Sequence, residues 1–326
     1  MMNIHETITD ADILRKGYMI CDGFVFSKLE HAPVFDCLVI RYPADAIAAS
    51  FRSAISARSL EEHIQLVEKY QLEKAIVVCD DLSFITRCPS LKNVAVYPAL
   101  TAKHVFDFSP LYQMPNIREL ICATSYGEKN HLHSCIDYSK LEGLHSVSAA
   151  GIGHLGYENI PHLKKLWLSD SKRHFDFSNI SCSDMLTDVT IMLCGIRSLS
   201  GMEQHPEIQH LALYHCRSLL DISAIKCLSK SLRTLTIECC SQITDFSALE
   251  ELGELEHLHL YGSNSVPNLQ FLRNLKKLKT FCFTINVLDG DLTLCTSIPY
   301  VSCKNRRHYN YRDRDLPKKL SQRQTD

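Results

Sequence analysis

The chain has 326 residues, of which 45% are hydrophobic and 22% are charged, and its formal net charge is -2. This composition is typical of an ordered protein with ample material for a core, and the near-neutral charge excludes a general attraction to nucleic acid or to an anionic membrane. No stretch approaches the ~18–20 consecutive apolar residues of a membrane span. The first fifteen residues contain acidic side chains and no apolar run of secretory length, so we expect no signal peptide.

The first 71 residues contain elements that differ from the rest of the chain. Two runs, Tyr18–Phe26 and Phe35–Ile40, have the composition of strands, and a helical stretch follows over Ser59–Tyr70. Ser59 and Glu62 have the spacing of a capping box at the start of this helix. The side chains on the predicted buried face of the helix are Leu60, His63, Ile64 and Val67.

From Leu72 onward, a six-position pattern, apolar-x-x-apolar-x-apolar, recurs every 22–24 residues in its clearest copies. Leucine-rich repeats have periods of roughly 20–29 residues. One such unit cannot bury its own apolar face, so the copies must stack on a continuous core. The predicted fold is an α/β solenoid, a leucine-rich-repeat right-handed superhelix of about ten coils with a parallel concave β-sheet. The copies of the pattern begin at Leu72, Leu91, Ile117, Leu144, Leu163, Leu186, Ile208, Leu232, Leu255 and Leu278.

A small polar residue lies three positions after the last apolar residue of each clear copy. The chain turns inward at this point, and its backbone amides need a buried partner. Stacked copies of a short hydrogen-bonding side chain would form a ladder along the coils. We predict that Cys194, Cys216 and Cys240 are buried there, reduced and hydrogen-bonded to the backbone of the turn. The full set of predicted ladder residues is Asp80, Ser171, Cys194, Cys216, Cys240, Ser263 and Asn286.

Behind each strand, apolar residues recur three positions apart, as in Ile243–Leu252. That spacing suits a short 3₁₀ turn, in which residues i and i+3 lie on one face. Similar runs occur over Leu219–Leu228 and Val266–Leu275. The coil that begins at Leu144 spans only 19 residues and is rich in glycine, so we expect an irregularity in it. The glycines are Gly151, Gly153 and Gly156.

With these features the chain resembles the internalin-like type of leucine-rich repeat, most closely over Gln242–Leu249. The resemblance covers about two-thirds of the chain. It implies strands on the concave side, short helical turns behind them, and a protein-binding scaffold without catalytic residues. The ladder departs from that type, which mostly has Asn where this chain has Cys or Ser.

The repeats divide the sequence into three parts. Residues 72–290 form the leucine-rich repeats, and residues 1–71 are interpreted as an N-terminal α/β cap, because stacked repeats need their open ends covered. A small docking domain is the alternative interpretation of residues 1–71. Residues 291–326 are interpreted as a C-terminal cap and a basic tail, solvated and partly disordered after Cys303. The alternative for the tail is contact with nucleic acid or an acidic surface.

Histidine and cysteine are the residues with which a catalytic or metal site could be built here: Cys239, Cys240, His210, His215, His257 and His259. A zinc site needs about four converging ligands, and no Cys-x-x-Cys motif accompanies these residues. The sequence also lacks a Gly-rich phosphate loop, a nucleophile elbow and a paired-carboxylate motif. We therefore expect no enzymatic activity, no cofactor and no metal. An enzyme or metal-binding protein that uses the concave His and Cys residues is the alternative.

The concave face carries the candidate binding residues. Side chains alternate across a strand, so the third, fifth and seventh positions of the pattern point away from the core. Trp, Tyr and Met are enriched at interface cores, although aromatic residues could also stack only to stiffen the sheet. The predicted partner-binding residues are Trp167, Asp188, Met192, His210, Tyr214, Glu238, His257, His259 and Tyr261.

The number and placement of the cysteines predict the compartment. The chain has 15 cysteines, an odd number, and many of them fall at core or ladder positions, where reduced thiols pack as small hydrophobic groups. We expect a cytoplasmic protein whose concave face binds another protein, with no role for nucleic acid or membrane. Adaptor and inhibitor functions, the latter including a toxin-neutralising immunity protein, stay open. The sequence does not predict an oligomeric state.

Overall fold

The computed structural model describes residues 18–21, 24–27, 34–42, 58–99, 105–123, 135–151, 153–170, 177–180 and 185–319. Two compact units divide the chain, Met1–Ile160 and Pro161–Asp326. None of the helices in these described ranges is long and apolar enough to cross a membrane.

The first unit begins with three strands that precede the repeats. The predicted run Tyr18–Phe26 forms two strands instead of one, and these pair in antiparallel fashion. The second of them pairs with a third strand, again antiparallel, and the third pairs in parallel with the first strand of the repeats. The three strands are β1 (Tyr18–Cys21), β2 (Phe24–Ser27) and β3 (Val34–Tyr42).

The single α-helix of the described residues, α1 (Leu60–Tyr70), follows these strands. Its predicted capping box is confirmed. The Ser59 amide donates to Glu62 Oε2 at 2.7 Å, and the Glu62 amide donates to Ser59 Oγ at 3.3 Å. His63, Ile64 and Val67 are buried, as predicted, whereas the first helical residue, Leu60, is only half-buried.

The ten predicted repeat strands are all present, and neighbouring strands within each unit pair in parallel. Each strand begins two residues after the first apolar position of the pattern, because that first residue is buried in the preceding turn. The strands in the first unit are β4 (Lys74–Cys79), β5 (Asn93–Pro98), β6 (Glu119–Ala123) and β8 (Ser146–Ala150). Those in the second unit are β10 (Lys165–Ser169), β11 (Asp188–Met192), β12 (His210–Tyr214), β13 (Thr234–Glu238), β14 (His257–Tyr261) and β16 (Thr280–Phe283).

Short segments connect these strands. Two pairs of two-residue strands form small parallel sheets, β7 (Ile136–Asp137) with β9 (His154–Leu155) and β15 (Ser265–Val266) with β17 (Asn286–Val287). The 3₁₀ helices in the first unit span Ser83–Arg87, Ser109–Gln113, Tyr138–Lys140 and Tyr157–Asn159. Those in the second unit span Phe177–Asn179, Met202–Gln204, Ser223–Leu228, Ser247–Glu251, Gln270–Arg273, Thr293–Ser297 and Asp313–Asp315.

The predicted 3₁₀ turns are confirmed within the three apolar runs named above. An Asx turn precedes several of them. Asp221 Oδ1 accepts from the Ser223 amide at 2.7 Å, and Asp245 Oδ1 accepts from the Ser247 amide at 2.8 Å. This contact satisfies an amide at the start of the helix, which has no partner inside it.

The glycine-rich coil of the first unit is irregular, as predicted. Its glycines adopt positive φ, with values of 102° at Gly151, 85° at Gly153 and 75° at Gly156. A Cβ atom at Gly156 would lie 2.8 Å from the amide nitrogen of Ser139, so a larger residue does not fit this corner. Glycine alone tolerates such a combination of conformation and close approach.

The cysteine ladder is present in the second unit. Cys194, Cys216 and Cys240 are buried. The Cys216 thiol donates to the Ile191 and Tyr214 carbonyls at 3.5 Å, and the Cys240 thiol donates to the Leu213 and Glu238 carbonyls at 3.5 Å. The ladder therefore satisfies backbone carbonyl groups of the turns, whereas backbone amides were the groups expected to need a partner.

The ladder prediction is wrong after β14. Ser263 is exposed, and Asn264 takes the buried position because the turn contains one additional residue. In the next coil, Ile285 is buried and Asn286 is only half-buried. Asp80 is also half-buried in the first unit. Ser171 lies outside the described residues.

The repeats continue beyond the last predicted copy. Strand β18 (Tyr300–Cys303) pairs in parallel with β16, although the sequence analysis placed these residues in the cap and tail. The tail was expected to be solvated and partly disordered after Cys303, and the described residues up to 319 are instead ordered by hydrogen bonds to the last coils. The hydroxyl of the buried Tyr309 accepts from the Val287 amide at 3.0 Å and donates to the Ile285 carbonyl at 3.2 Å.

Candidate functional site

The sheet of the second unit has one face on the core and one open face. On the core side, Leu166 and Leu168 of β10 are each 2% exposed, whereas Trp167 between them is half-buried on the open face. The same alternation recurs in β11, β12 and β14, whereas in β13 the middle open-face residue, Thr236, is also buried. All nine predicted partner-binding residues lie on strands β10 to β14, outside the core. Their role in binding a partner stays a prediction.

The register places these residues in rows that cross the strands. One row contains Met192, Tyr214, Glu238 and Tyr261, each directly opposite the next. Neighbouring strands lie about 4.8 Å apart, so these side chains are close enough to contact one another. Trp167 belongs to a different row, in which it lies opposite Thr190, diagonal to Met192.

The third row brings Asp188 and His210 side by side, with Thr234 between His210 and His257. His210 is exposed, whereas Asp188 and His257 are half-buried. This row offers a partner hydrogen-bonding groups rather than apolar ones.

His257 and His259 lie two residues apart on β14 and point to the same side. Burial lowers the pKa of both imidazoles, and His257 lowers the pKa of His259 further. His259 Nδ1 lies 3.3 Å from Thr236 Oγ1, and its ring stacks on Tyr261 with centroids 6.0 Å apart. Both histidines are thus neutral near pH 7, and they can donate and accept hydrogen bonds without adding charge.

Tyr261 is a partly desolvated polar group at this end of the open face. Burial raises the pKa of its phenol to about 12. The phenol is therefore protonated at physiological pH, and it offers a partner a hydrogen-bond donor on a large apolar ring. This combination makes Tyr a frequent anchor at protein interfaces.

The residue after each of strands β10 to β13 forms a corner that the apolar pattern does not predict. Asp170, Leu193, His215 and Cys239 have φ of 54–55°, the left-handed conformation that non-glycine residues seldom adopt. Each corner amide donates to a carbonyl of the next coil, for example Leu193 to Tyr214 at 2.9 Å. Leu193 is 47% exposed beside Met192. It adds an apolar contact that strand alternation could not reveal, because its position depends on the backbone of the turn.

Two corners and one strand residue bring metal-binding groups together. Ligand atoms of His215, Glu238 and Cys239 all lie within 4.8 Å of one another. His215 Nε2 lies 4.0 Å from Glu238 Oε1. The other histidines of the open face do not belong to a cluster of this kind among the described residues.

Solved structures are similar to this chain in fold. An internalin, inlF, from Listeria monocytogenes has a TM-score of 0.50 at 15% identity, and the match covers 85% of this chain and 86% of that chain. The functional domain of InlJ from Listeria monocytogenes, described as including a cysteine ladder, has a TM-score of 0.49 at 16% identity, with 69% of this chain and 46% of that chain covered. The plant peptide hormone receptor RGFR1 in complex with RGF2 has a TM-score of 0.41 at 12% identity, with 89% and 49% covered.

No family model matches the sequence, and no curated protein is similar to it. At sequence identities this low, similarity to solved structures shows the fold alone. The internalin inlF match spans most of both chains, and it therefore supports one shared fold over most of this chain. The chain therefore has the leucine-rich-repeat fold, and internalins are among the solved structures that share it.

Proposed function

We propose that this chain is a non-catalytic scaffold that binds another protein on the open face of strands β10 to β14. The observation that carries the proposal is the set of large side chains on that face. Trp167, Met192, Tyr214 and Tyr261 are half-buried rather than packed in the core. Large apolar groups that stay partly accessible on one face often mark interaction surfaces in soluble proteins.

The size of this surface limits what it can do alone. Five strands at about 4.8 Å and five residues per strand at about 3.3 Å give a face of roughly 19 Å by 13 Å. A stable interface buries about 800 Å² on each partner. The contact area must therefore extend beyond the nine predicted residues. The exposed Leu193, at the corner after β11, is the adjacent apolar residue.

Rigidity favours tight binding by this face. Every strand from β11 to β14 is paired on both sides, and the corner amides extend the hydrogen bonding past each strand end. A surface that is ordered before binding loses little conformational entropy in the complex. This property suits an inhibitor, such as an immunity protein that covers a toxin, as well as an adaptor.

We also propose that the protein works in a reducing compartment such as the cytoplasm. The 12 cysteines whose side chains are described are free thiols. Several have a pKa raised by burial, including Cys295, to about 12, and Cys88, to about 11. Such thiols stay protonated and pack as small hydrophobic groups.

The proposal is tested with a double variant, Trp167→Ala with Tyr214→Ala. Parent protein immobilised on a resin captures a partner from its native cell extract, and the purified partner is then titrated against each variant. Loss of one buried anchor typically costs ~2 kcal/mol or more, so we expect the Kd to rise at least about thirtyfold.

The matched control changes exposed residues on the 3₁₀ side of the coils, Lys226→Ala with Glu250→Ala. We expect this control to keep the parent Kd and both variants to keep the parent circular-dichroism spectrum. A partner that binds the Trp167 and Tyr214 double variant as tightly as the parent contradicts binding on the open face.

A further inference from the structure

Three donors of different chemistry meet where two adjacent corners of the second unit lie side by side. His215 follows β12, Glu238 ends β13, and Cys239 follows Glu238. Their ligand atoms lie within 4.8 Å of one another. The His215 and Glu238 side chains are 39% and 37% exposed, so an ion from solvent can reach them.

The repeat itself brings these residues together. His215 and Cys239 occupy the same corner position in adjacent coils, and both have φ of 54°. The His215 amide donates to the Glu238 carbonyl at 2.7 Å, and the Cys239 amide donates to the Tyr261 carbonyl at 2.8 Å. These bonds fix the backbone of two of the three donors before any ion binds.

The two consecutive cysteines have separate roles at this corner. Cys240 is 0% exposed, and its thiol donates to backbone carbonyls of the ladder. Cys239 is half-buried on the other side of the chain, next to the imidazole of His215. The left-handed conformation at Cys239 is what turns one thiol into the core and leaves the other available as a ligand.

The donor types select the ion. An imidazole nitrogen and a thiolate favour zinc over calcium or magnesium, which prefer oxygen ligands. Zinc bonds of about 2.0–2.3 Å at tetrahedral angles place neighbouring ligand atoms about 3.3–3.8 Å apart. The 4.0 Å between His215 Nε2 and Glu238 Oε1 is close to that range, and rotation of these part-exposed side chains can close the remainder.

We propose that His215, Glu238 and Cys239 bind one Zn²⁺ ion, with water in the fourth coordination position. Binding forms the zinc–sulfur bond as the Cys239 thiol loses its proton to solvent, so affinity falls as pH decreases. Glu238 is also one of the nine predicted partner-binding residues, so the zinc site is tested through His215 and Cys239, which are not, and its failure would leave the proposal of binding on the open face untouched.

The test uses the full chain, purified with a metal-free reductant and titrated with Zn²⁺ in competition with a chromogenic chelator. The variants are Cys239→Ser and His215→Asn, since Asn also tolerates the left-handed conformation of this corner. Changes in residues that merely orient zinc ligands cost 10–100-fold in affinity, so loss of a direct ligand should cost at least about 100-fold. The matched control is Cys227→Ser, which removes an exposed thiol on the 3₁₀ helix Ser223–Leu228.

Titration with Co²⁺ gives a second measurement, because cobalt bound to a thiolate has a charge-transfer absorption band. We expect one equivalent of ion for the parent and for Cys227→Ser, with the band absent in Cys239→Ser. Thermal melting without metal checks that the variants are folded. A parent that binds no stoichiometric ion overturns the site, and so does a folded His215→Asn or Cys239→Ser variant that keeps the parent affinity and spectrum.

Discussion

In the second unit, the turns after β12 and β13 and the turn after β14 use different side chains as the buried hydrogen-bond donor to backbone carbonyls. After β12 and β13, the thiols of Cys216 and Cys240 donate to backbone carbonyls at a distance of 3.5 Å. A thiol is a weak hydrogen-bond donor. After β14, Asn264 donates through Nδ2 to the Cys240 and Ile243 carbonyls at 3.1 and 2.8 Å. The cysteine coils thus depend mainly on packing, whereas the Asn264 coil depends on hydrogen bonds.

The corner residues differ in the same way. The cysteine coils place Leu193, His215 and Cys239 in a left-handed conformation, whereas the Asn264 coil has Gly262 with φ of 140°. A Cβ atom at Gly262 would lie 3.2 Å from Asn264 Oδ1. The longer side chain of Asn264 therefore needs both an additional residue in the turn and a glycine before it. A cysteine, being shorter, fits a tighter turn at the cost of backbone strain.

Among variants that test this difference, Asn264→Ala should have the largest effect on the free energy of unfolding. It removes two hydrogen bonds and leaves the buried Cys240 and Ile243 carbonyls without this donor. We expect the free energy of unfolding to fall by about 2–3 kcal/mol, measured by urea denaturation. Ser263→Ala, at the exposed neighbour, is the control and should change it by less than about 0.5 kcal/mol. Equal losses for the two variants would show that Asn264 is not a ladder residue.

The variant Cys216→Ala should cost less, about 1 kcal/mol in the same measurement, because only a sulfur atom and weak hydrogen bonds are lost. Hydrogen bonding to Cys240, together with burial, raises the pKa of the Cys216 thiol, so no thiolate is lost in the variant. Cys227→Ala, at an exposed thiol, serves as the control with an expected change near zero. A loss as large as that of Asn264→Ala would contradict a packing role for the cysteines.

The smallest effect is expected for Leu193→Gly, and it has the opposite sign. The left-handed conformation costs a leucine about 1 kcal/mol, and glycine removes this cost. Glycine also increases the conformational entropy of the unfolded chain and loses part of the apolar contact, and both of these effects lower stability. We expect a net gain of about 0.5 kcal/mol or less in the free energy of unfolding. Leu220→Gly is the matched control, since Leu220 is 56% exposed and has no positive φ. A loss of stability equal to that of the control would argue against strain at this corner.

The strands could be predicted from the sequence because burial alone determines their apolar spacing. The copy that begins at Leu278 aligns with its neighbours as expected. The position of Asn264 could not be predicted in this way, since an additional residue in a polar turn leaves the apolar period nearly unchanged. Gly262, directly before Ser263, was the available signal.

The last coil was missed for a different reason. Ile298, Val301 and Cys303 fit the six-position pattern, but their coil begins only 20 residues after Leu278 and is followed by many basic residues. Composition therefore outweighed a valid copy of the pattern. At the candidate site, the alternation of side chains along each strand predicted that Trp167 and the other eight candidate residues lie outside the core. It could not predict the corners, because their orientation follows from backbone torsions.

Strand β18 ends the sheet, and the segment after it determines whether that end can recruit another chain. Tyr300 forms an antiparallel bridge with Lys318, the Val301 amide donates to the Pro317 carbonyl at 2.9 Å, and the Lys319 amide donates to the Pro299 carbonyl at 3.0 Å. A terminal strand with unpaired backbone groups is a template for edge-to-edge aggregation. Here the chain folds back to occupy those groups itself, so polymerisation through strand addition at this end is blocked by its own backbone.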